Sequence, residues 1–277
     1  LGKLDGAYIV ASESCVMDLV EAEFIREIEP GELILINQFG VKSFHPFQKA
    51  PTKQCVFEHI YFSRPDSYLF GHSVYSTRKL MGKALAREKP VEADVVVPVP
   101  DSGVISAMGY SEEAKIPFQM GLIRNHYVGR TFIEPQSQIR NFGVKIKLNA
   151  VKPVIEGKRV IIIDDSIVRG TTSKKIVRML REVGAREVHV RISSPPTTHS
   201  CFYGIDTPTK GELIASNMDI DQTCKYLGAD SLHYISLEKM LEIFGEQKDD
   251  FCAACFDGLY PVDVTGSDGN TKQLGLF

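Results

Sequence analysis

The sequence has no block of five or six like charges, and its 32 Lys and Arg against 35 Asp and Glu leave a net charge of -3. A groove built to follow a nucleic-acid backbone is therefore not indicated. No run of about 18 apolar residues occurs, so the sequence offers no membrane-spanning helix. Cysteine is sparse, six in 277 residues, and no secretory signal is evident. That argues against a disulfide scaffold and for a reducing compartment, the cytoplasm being expected and an organelle the alternative. The histidines at 45, 59, 72, 126, 189, 199 and 233 form no cluster with metal-ligand spacing. Internal repeats and low-complexity linkers are missing too. The opening LGKLDGAYIV has neither an initiator Met nor a leader and reads as if inside a strand, so the natural protein is expected to begin earlier.

What is present falls into three zones. Residues 1–50 hold short strand-like runs (AYIVASES, EFIREIEP, ELILINQFG) broken by Pro-Gly and Phe-Gly turns. From about 73 to 200, strands and helices alternate. SVYSTRKLMGKALAREK, SGVISAMGYSEEAK and TSKKIVRMLREVGA read as helices; ADVVVPVP, KRVIIIDD and EVHVRISSPP read as buried strands. That alternation means βαβ units and an α/β fold around a parallel sheet. Beyond 200 the segments DIDQTCKYLGA and SLEKMLEIFG read as helical, followed by a polar, Gly-rich tail containing FCAACF.

The stretch VIIIDDSIVRGTTS, residues 160–173, is the most informative. In an open parallel sheet, ligands bind beyond the carboxyl ends of the strands, where Asp164 and Asp165 stand. The turn that follows offers backbone N–H groups, hydroxyls and a helix amino terminus, which suit a phosphate monoester. A phosphate with two carboxylates beside it describes a sugar phosphate. A lone Asp before a helix is more often a cap. Two acids followed by Arg-Gly-Thr-Thr favour the ligand.

IIIDDSIVRGTT resembles the phosphoribosylpyrophosphate (PRPP) signature of type I phosphoribosyltransferases. YFSRPDS, VPVPDSG, NHYVGRTFIEP, IDDSIVRGTTS and ISSPPTTHSCFYGID, in that order, resemble the glutamine PRPP amidotransferase family, across nearly the whole chain. VASESC and EIEPGE look like the last strands of that family's N-terminal nucleophile (Ntn) hydrolase domain. The resemblance implies a glutaminase remnant over 1–50, a phosphoribosyltransferase domain over 51–245 and a tail over 246–277. It implies the transfer of ammonia, drawn from glutamine, to C1 of PRPP with release of pyrophosphate. The product is 5-phosphoribosylamine, the first committed intermediate of purine synthesis.

Carried over residue by residue, Asp164 and Asp165 would hold the ribose hydroxyls and share a magnesium ion (Mg2+) with Ser102. Ser166, Val168, Arg169, Gly170, Thr171 and Thr172 would cradle the 5-phosphate, and Asp101, Ser102 and Gly103 would lie under the pyrophosphate. RNHYVGRTFIEPQSQIR resembles the family's closing loop and makes Tyr127, Arg130 and Lys147 candidates for phosphate contacts. The resemblance further implies a homo-oligomer, a tetramer, with purine nucleotides as feedback inhibitors, and neither nucleic acid nor membrane as partner. The family's N-terminal catalytic cysteine has no counterpart here, and Cys15 is expected to fill the core instead. Two rival readings are a salvage enzyme taking a free nucleobase and a non-catalytic PRPP-binding regulator. Residues 1–50 and ISSPPTTHSCFYGID count against the first, and the full YVGRTF segment against the second.

The single CxxC of FCAACF could be a redox pair, half a zinc site or two unrelated thiols. With Cys55 and Cys201, Cys252 and Cys255 could make a four-thiolate site for zinc or a 4Fe-4S cluster, and spacing does not choose. One branch of the resembled family carries a 4Fe-4S cluster on cysteines in these four contexts, which implies the cluster. Cys224 lies outside the pattern and is expected to be a packing residue.

Overall fold

A computed structural model describes residues 1–125 and 148–262. At its centre four parallel strands pair in the order Ser231–Tyr234, Glu187–Ile192, Arg159–Asp164, Val95–Pro98. Side chains alternate faces along each strand. Val95, Val97, Val160, Ile162, Val188 and Val190 meet Ile176, Val177 and Leu180 of the Thr171–Glu182 helix on one side. Val96, Ile161 and Ile163 meet Met81 and Leu85 of the Val74–Glu88 helix, and Ala107 and Tyr110 of the Val104–Ala114 helix, on the other. With both faces covered, nothing favours a polar alternation, and the strands read as unbroken apolar runs. The α/β class, three of the strands and the helices around them match the sequence reading. Cys224 packs beside the first core, as expected.

The fourth strand, Ser231–Tyr234, was not anticipated. Its Leu232 and Tyr234 enter the first core at the edge of the sheet. In the amino-terminal zone, Gly2–Leu4 pairs antiparallel with Ala7–Ile9 and Glu23–Phe24, and Leu33–Asn37 with Gly40–Phe44. Here VASESC departs from the expected strand. Its end turns into the short helix Cys15–Leu19, which buries Cys15 and Met17. The physical reason lies in the side chains just before the helix. Glu13 Oε2 accepts from the Arg64 N–H and the Ser67 hydroxyl, both at 2.7 Å, and Ser14 Oγ accepts from the Tyr68 N–H at 2.7 Å. These bonds draw the chain out of the sheet and onto the turn at 64–68. Cys15 therefore fills a core, as expected.

The FCAACF segment is not a loose tail. Phe251–Cys252 pairs in parallel with Gln54–Cys55, and Phe251, Ala253 and Phe256 are buried in the second core.

Candidate functional site

Asp164 is the last residue of the central strand Arg159–Asp164, and Asp165 opens the turn beyond it. The two are 9% and 6% exposed, an expensive place for two adjacent carboxyls. Asp164 Oδ1 accepts from the Asp165 N–H at 2.9 Å and from Ser102 Oγ at 3.4 Å, and Ser166 Oγ donates to Asp165 Oδ2 at 2.5 Å. Burial, and then the Asp165 charge, push the Asp164 carboxyl well above the usual carboxylate range. Groups held this way are poised to accept a cation or the hydroxyls of a sugar.

Neither Asp165 nor Ser166 caps the following helix. The Thr171–Glu182 helix starts at Gly170, which has φ of +73°, and no side chain caps it. The left-handed backbone at Gly170 is what requires glycine, and a Cβ there would also push Ile214 Cδ1, 2.6 Å away, aside. Thr171, Thr172 and Ser173 therefore present first-turn N–H groups without a cap, and all three line the same cleft as Asp164 and Asp165. Ser166, Val168, Arg169 and Gly170 complete that wall. The cleft is about 1070 Å³, large enough for a phosphorylated sugar with a second charged group. The Arg169 guanidinium is turned to Glu212, with Nη2 at 3.0 Å from Oε1, so its side chain is already engaged.

Of the VPVPDSG loop, Val99 and Ser102 line the cleft. Asp101 is exposed and pairs with Arg124 Nη1 at 2.7 Å. Gly103 sits underneath, where a Cβ would lie 2.3 Å from the Ile163 carbonyl oxygen, so the loop can rest on the central strand only without a side chain there. The Pro100–Asp101 peptide is cis. Tyr127, Arg130 and Lys147 lie outside the described residues.

The facing wall was not foreseen. Phe57, Glu58, Tyr61 and Phe62 belong to it, as do Thr197 and the Tyr203–Pro208 stretch. The signal was present, since YFSRPDS and ISSPPTTHSCFYGID supply both parts, but only as motifs without a placement.

Cys55, Cys201, Cys252 and Cys255 line the same cleft. Cys55 and Cys252 are register partners, and the Cys255 carbonyl accepts from Thr198 and His199 N–H, which brings the chain before Cys201 alongside. Burial, then the other three thiols, push the Cys255 thiol far up; burial raises Cys55 to about 11. Although the thiols act on one another, no group of three or more His, Cys, Asp or Glu among the described residues is drawn into a metal-holding arrangement.

A model of the phosphoribosyl transferase domain family matches residues 75–193, which include the loop at 101–103 and the turn at 166–172. The amidophosphoribosyltransferase of Bacillus subtilis is 53% identical over 268 residues, covering 95% of this chain and 56% of that one. The chain belongs to the amidophosphoribosyltransferase family. A chloroplastic amidophosphoribosyltransferase of Glycine max is 54% identical over 274 residues, 99% of this chain and 48% of the relative. The structure of the B. subtilis glutamine PRPP amidotransferase complexed with ADP and GMP superposes with a TM-score of 0.89 at 52% identity. It covers 96% of this chain, which spans 59% of it. The chain thus spans about half the length of the curated relatives it matches. No helix among the described residues is long and apolar enough to cross a membrane.

Proposed function

We propose that the chain performs the transferase half of the amidophosphoribosyltransferase reaction, moving ammonia to C1 of PRPP with release of pyrophosphate. The observation that carries this reading is the buried pair Asp164 and Asp165 facing an uncapped helix amino terminus across one cleft. The Thr171–Ser173 N–H groups and the Ser166–Gly170 turn would take the 5-phosphate. Asp164 and Asp165 would accept hydrogen bonds from the ribose hydroxyls and, as ionised groups, stabilise the positive charge that develops at C1. Ser102, beside Asp164, would lie under the pyrophosphate, with Asp101 and Gly103 shaping its loop. Tyr127, Arg130 and Lys147 are assigned to the phosphates on the family resemblance.

Asp164, Asp165 and Ser102 fit a magnesium ion, because burial of adjacent carboxyls calls for a cation. When bound, magnesium would offset the charge of the pyrophosphate leaving group. The four cysteines fit a 4Fe-4S cluster in donor chemistry, since cysteine is its ligand and Cys55, Cys252 and Cys201 all lie close enough to Cys255 to add to burial in raising its thiol. When bound, such a cluster would hold the 251–256 segment to the domain and take no part in transfer.

We assign residues 1–50 to the end of a glutaminase domain, 51–245 to the transferase domain and 246–277 to the tail. Glutamine is the ammonia source we infer for the whole protein, in a homotetramer. Purine nucleotides are its inferred inhibitors, in keeping with the ADP and GMP bound by the B. subtilis relative. The cytoplasm is the compartment we assign, a plastid being the alternative suggested by the soybean relative's name.

The test is pyrophosphate release from PRPP and magnesium with ammonia, with free nucleobases and with neither. Release that depends on ammonia is expected. Release that depends on a nucleobase would favour a salvage enzyme, and none with either would favour a regulator.

A further inference from the structure

The YFSRPDS motif, residues 61–67, forms part of the cleft yet holds none of the groups assigned above. It begins inside a five-residue π-helical turn, Glu58–Phe62, which Ser63 ends. Such wide turns are rare and gather at functional sites, because something else must hold them. Here the holder is Arg78. Its side chain comes from the Val74–Glu88 helix and is 3% exposed. Nε donates to the His59 carbonyl at 2.9 Å and Nη2 to the Ser63 carbonyl at 2.7 Å. One planar fork therefore bridges the inside of the turn and its end. On the cleft side, Ser63 Oγ donates to Glu58 Oε2 at 2.6 Å, fixing the one carboxylate among Phe57, Tyr61 and Phe62.

Among the described residues, Arg78 makes no ion pair. A buried cation without a carboxylate partner is costly, and two carbonyls could be satisfied by a neutral donor. Burial weakens the guanidinium's hold on its proton; the charges of Asp165, Glu13 and Glu58, in that order, oppose this. Two of those three carboxylates line the cleft. The cation thus feels carboxylates from both parts of the cleft lining, Asp165 and Glu58, and its fork holds the turn that carries Glu58.

We infer that Arg78 is a positioning residue of the transferase site, clamping the Glu58–Phe62 turn so that this wall stands at a fixed distance from the Asp164–Ser173 wall. This rests on the transferase reading. With the 5-phosphate held by the Ser166–Ser173 side and the pyrophosphate over Ser102, the clamped wall is the side left for the nucleophile, and loosening the clamp acts on the nucleophile rather than on PRPP.

The experiment replaces Arg78 by Lys, which keeps the charge and loses the fork. Both Michaelis constants are measured in the full chain, because they do not depend on the fraction of active protein. In R78K the KM for ammonia should rise about tenfold, one misplaced contact, while the KM for PRPP stays within about twofold. Ser63→Ala removes only the hydroxyl that orients Glu58 and should move the ammonia KM in the same direction, which covers the case in which R78K does not fold. Unchanged ammonia KM in both variants, or equal rises in both constants, would overturn the inference. Wild-type protein that releases no pyrophosphate would instead overturn the transferase reading beneath it.

Discussion

Replacing Gly103 by Ala adds one methyl group where the loop at 99–103 rests on the central strand. The new Cβ would stand 2.3 Å from Ile163 O and 3.1 Å from both Ile163 C and Val99 N. Carbon and oxygen rarely approach closer than about 3.3 Å, so loop and strand must separate by about 1 Å. The backbone itself does not resist alanine, with φ of -79° and ψ of -8°, so the perturbation is purely steric. Nor can the loop drift freely, because Gly103 N donates to Val99 O and Val99 N to Ile163 O, at 2.9 and 2.8 Å. Overpacking of this kind costs about 1 to 3 kcal/mol. For a domain of this size that corresponds to a fall in Tm of about 2 to 10 °C. The neighbour, Ser102, donates to Asp164, so the shift passes directly into the site. A displacement of about 1 Å there should lower kcat/KM for PRPP about a hundredfold. Thermal melts and ammonia-dependent pyrophosphate release measure both effects. A variant with wild-type Tm and wild-type kcat/KM would refute the contact between loop and strand.

Asp164→Asn should abolish transfer by about a hundredfold or more, yet raise the Tm of the ligand-free protein at neutral pH. Because folding raises this carboxyl's pKa, its stabilising contribution is present only below the ordinary carboxylate range and is lost as pH rises; a neutral amide removes that penalty, and a Tm at or below wild type would count against it. His59 is fully buried among Phe70, Phe244 and Phe251, and burial, then the His72 and Arg78 charges, hold its pKa down to about 4. Its contribution is present above the ordinary value of about 6.5 and lost as pH falls toward 4, up to about 3 kcal/mol in all; urea melts at pH 7 and 4.5 should show His59→Phe flattening that slope. Protein purified without oxygen should be brown with about four irons per chain, and Cys252→Ser should bleach it and loosen the 251–256 segment; colourless protein with stoichiometric zinc, or with no metal, would remove the cluster and leave the transferase reading standing.

The parallel sheet was legible because Val95–Val97 and Val160–Ile163 lie between two helical layers, and burial on both faces leaves a continuous apolar run in the sequence. The acids at the end of the second run were legible for a related reason: position beyond a strand end is a property of order along the chain. Ser231–Tyr234 was missed although Leu232 and Tyr234 alternate, because four residues between two helices carry too short a pattern. The bend at Ser14 depends on Arg64, Ser67 and Tyr68, which no local window includes. The second wall of the cleft was hidden for the same reason. Phe57–Phe62 is held there by Phe251–Phe256, far along the chain, and by a buried arginine on the next helix that looks like any other charged residue on an amphipathic stretch.

The pairing of Gln54–Cys55 with Phe251–Cys252 brings the chain just before the sheet and its helices side by side with the chain just after them. A polypeptide that leaves such a unit a few ångströms from where it entered can be spliced into a longer chain, or rejoined in a different order, without disturbing the sheet between. Since the two strands run parallel, a linker closing them must retrace only two residues of strand, about 7 Å. The unit is in that sense a cassette whose entry and exit meet at a single strand pair.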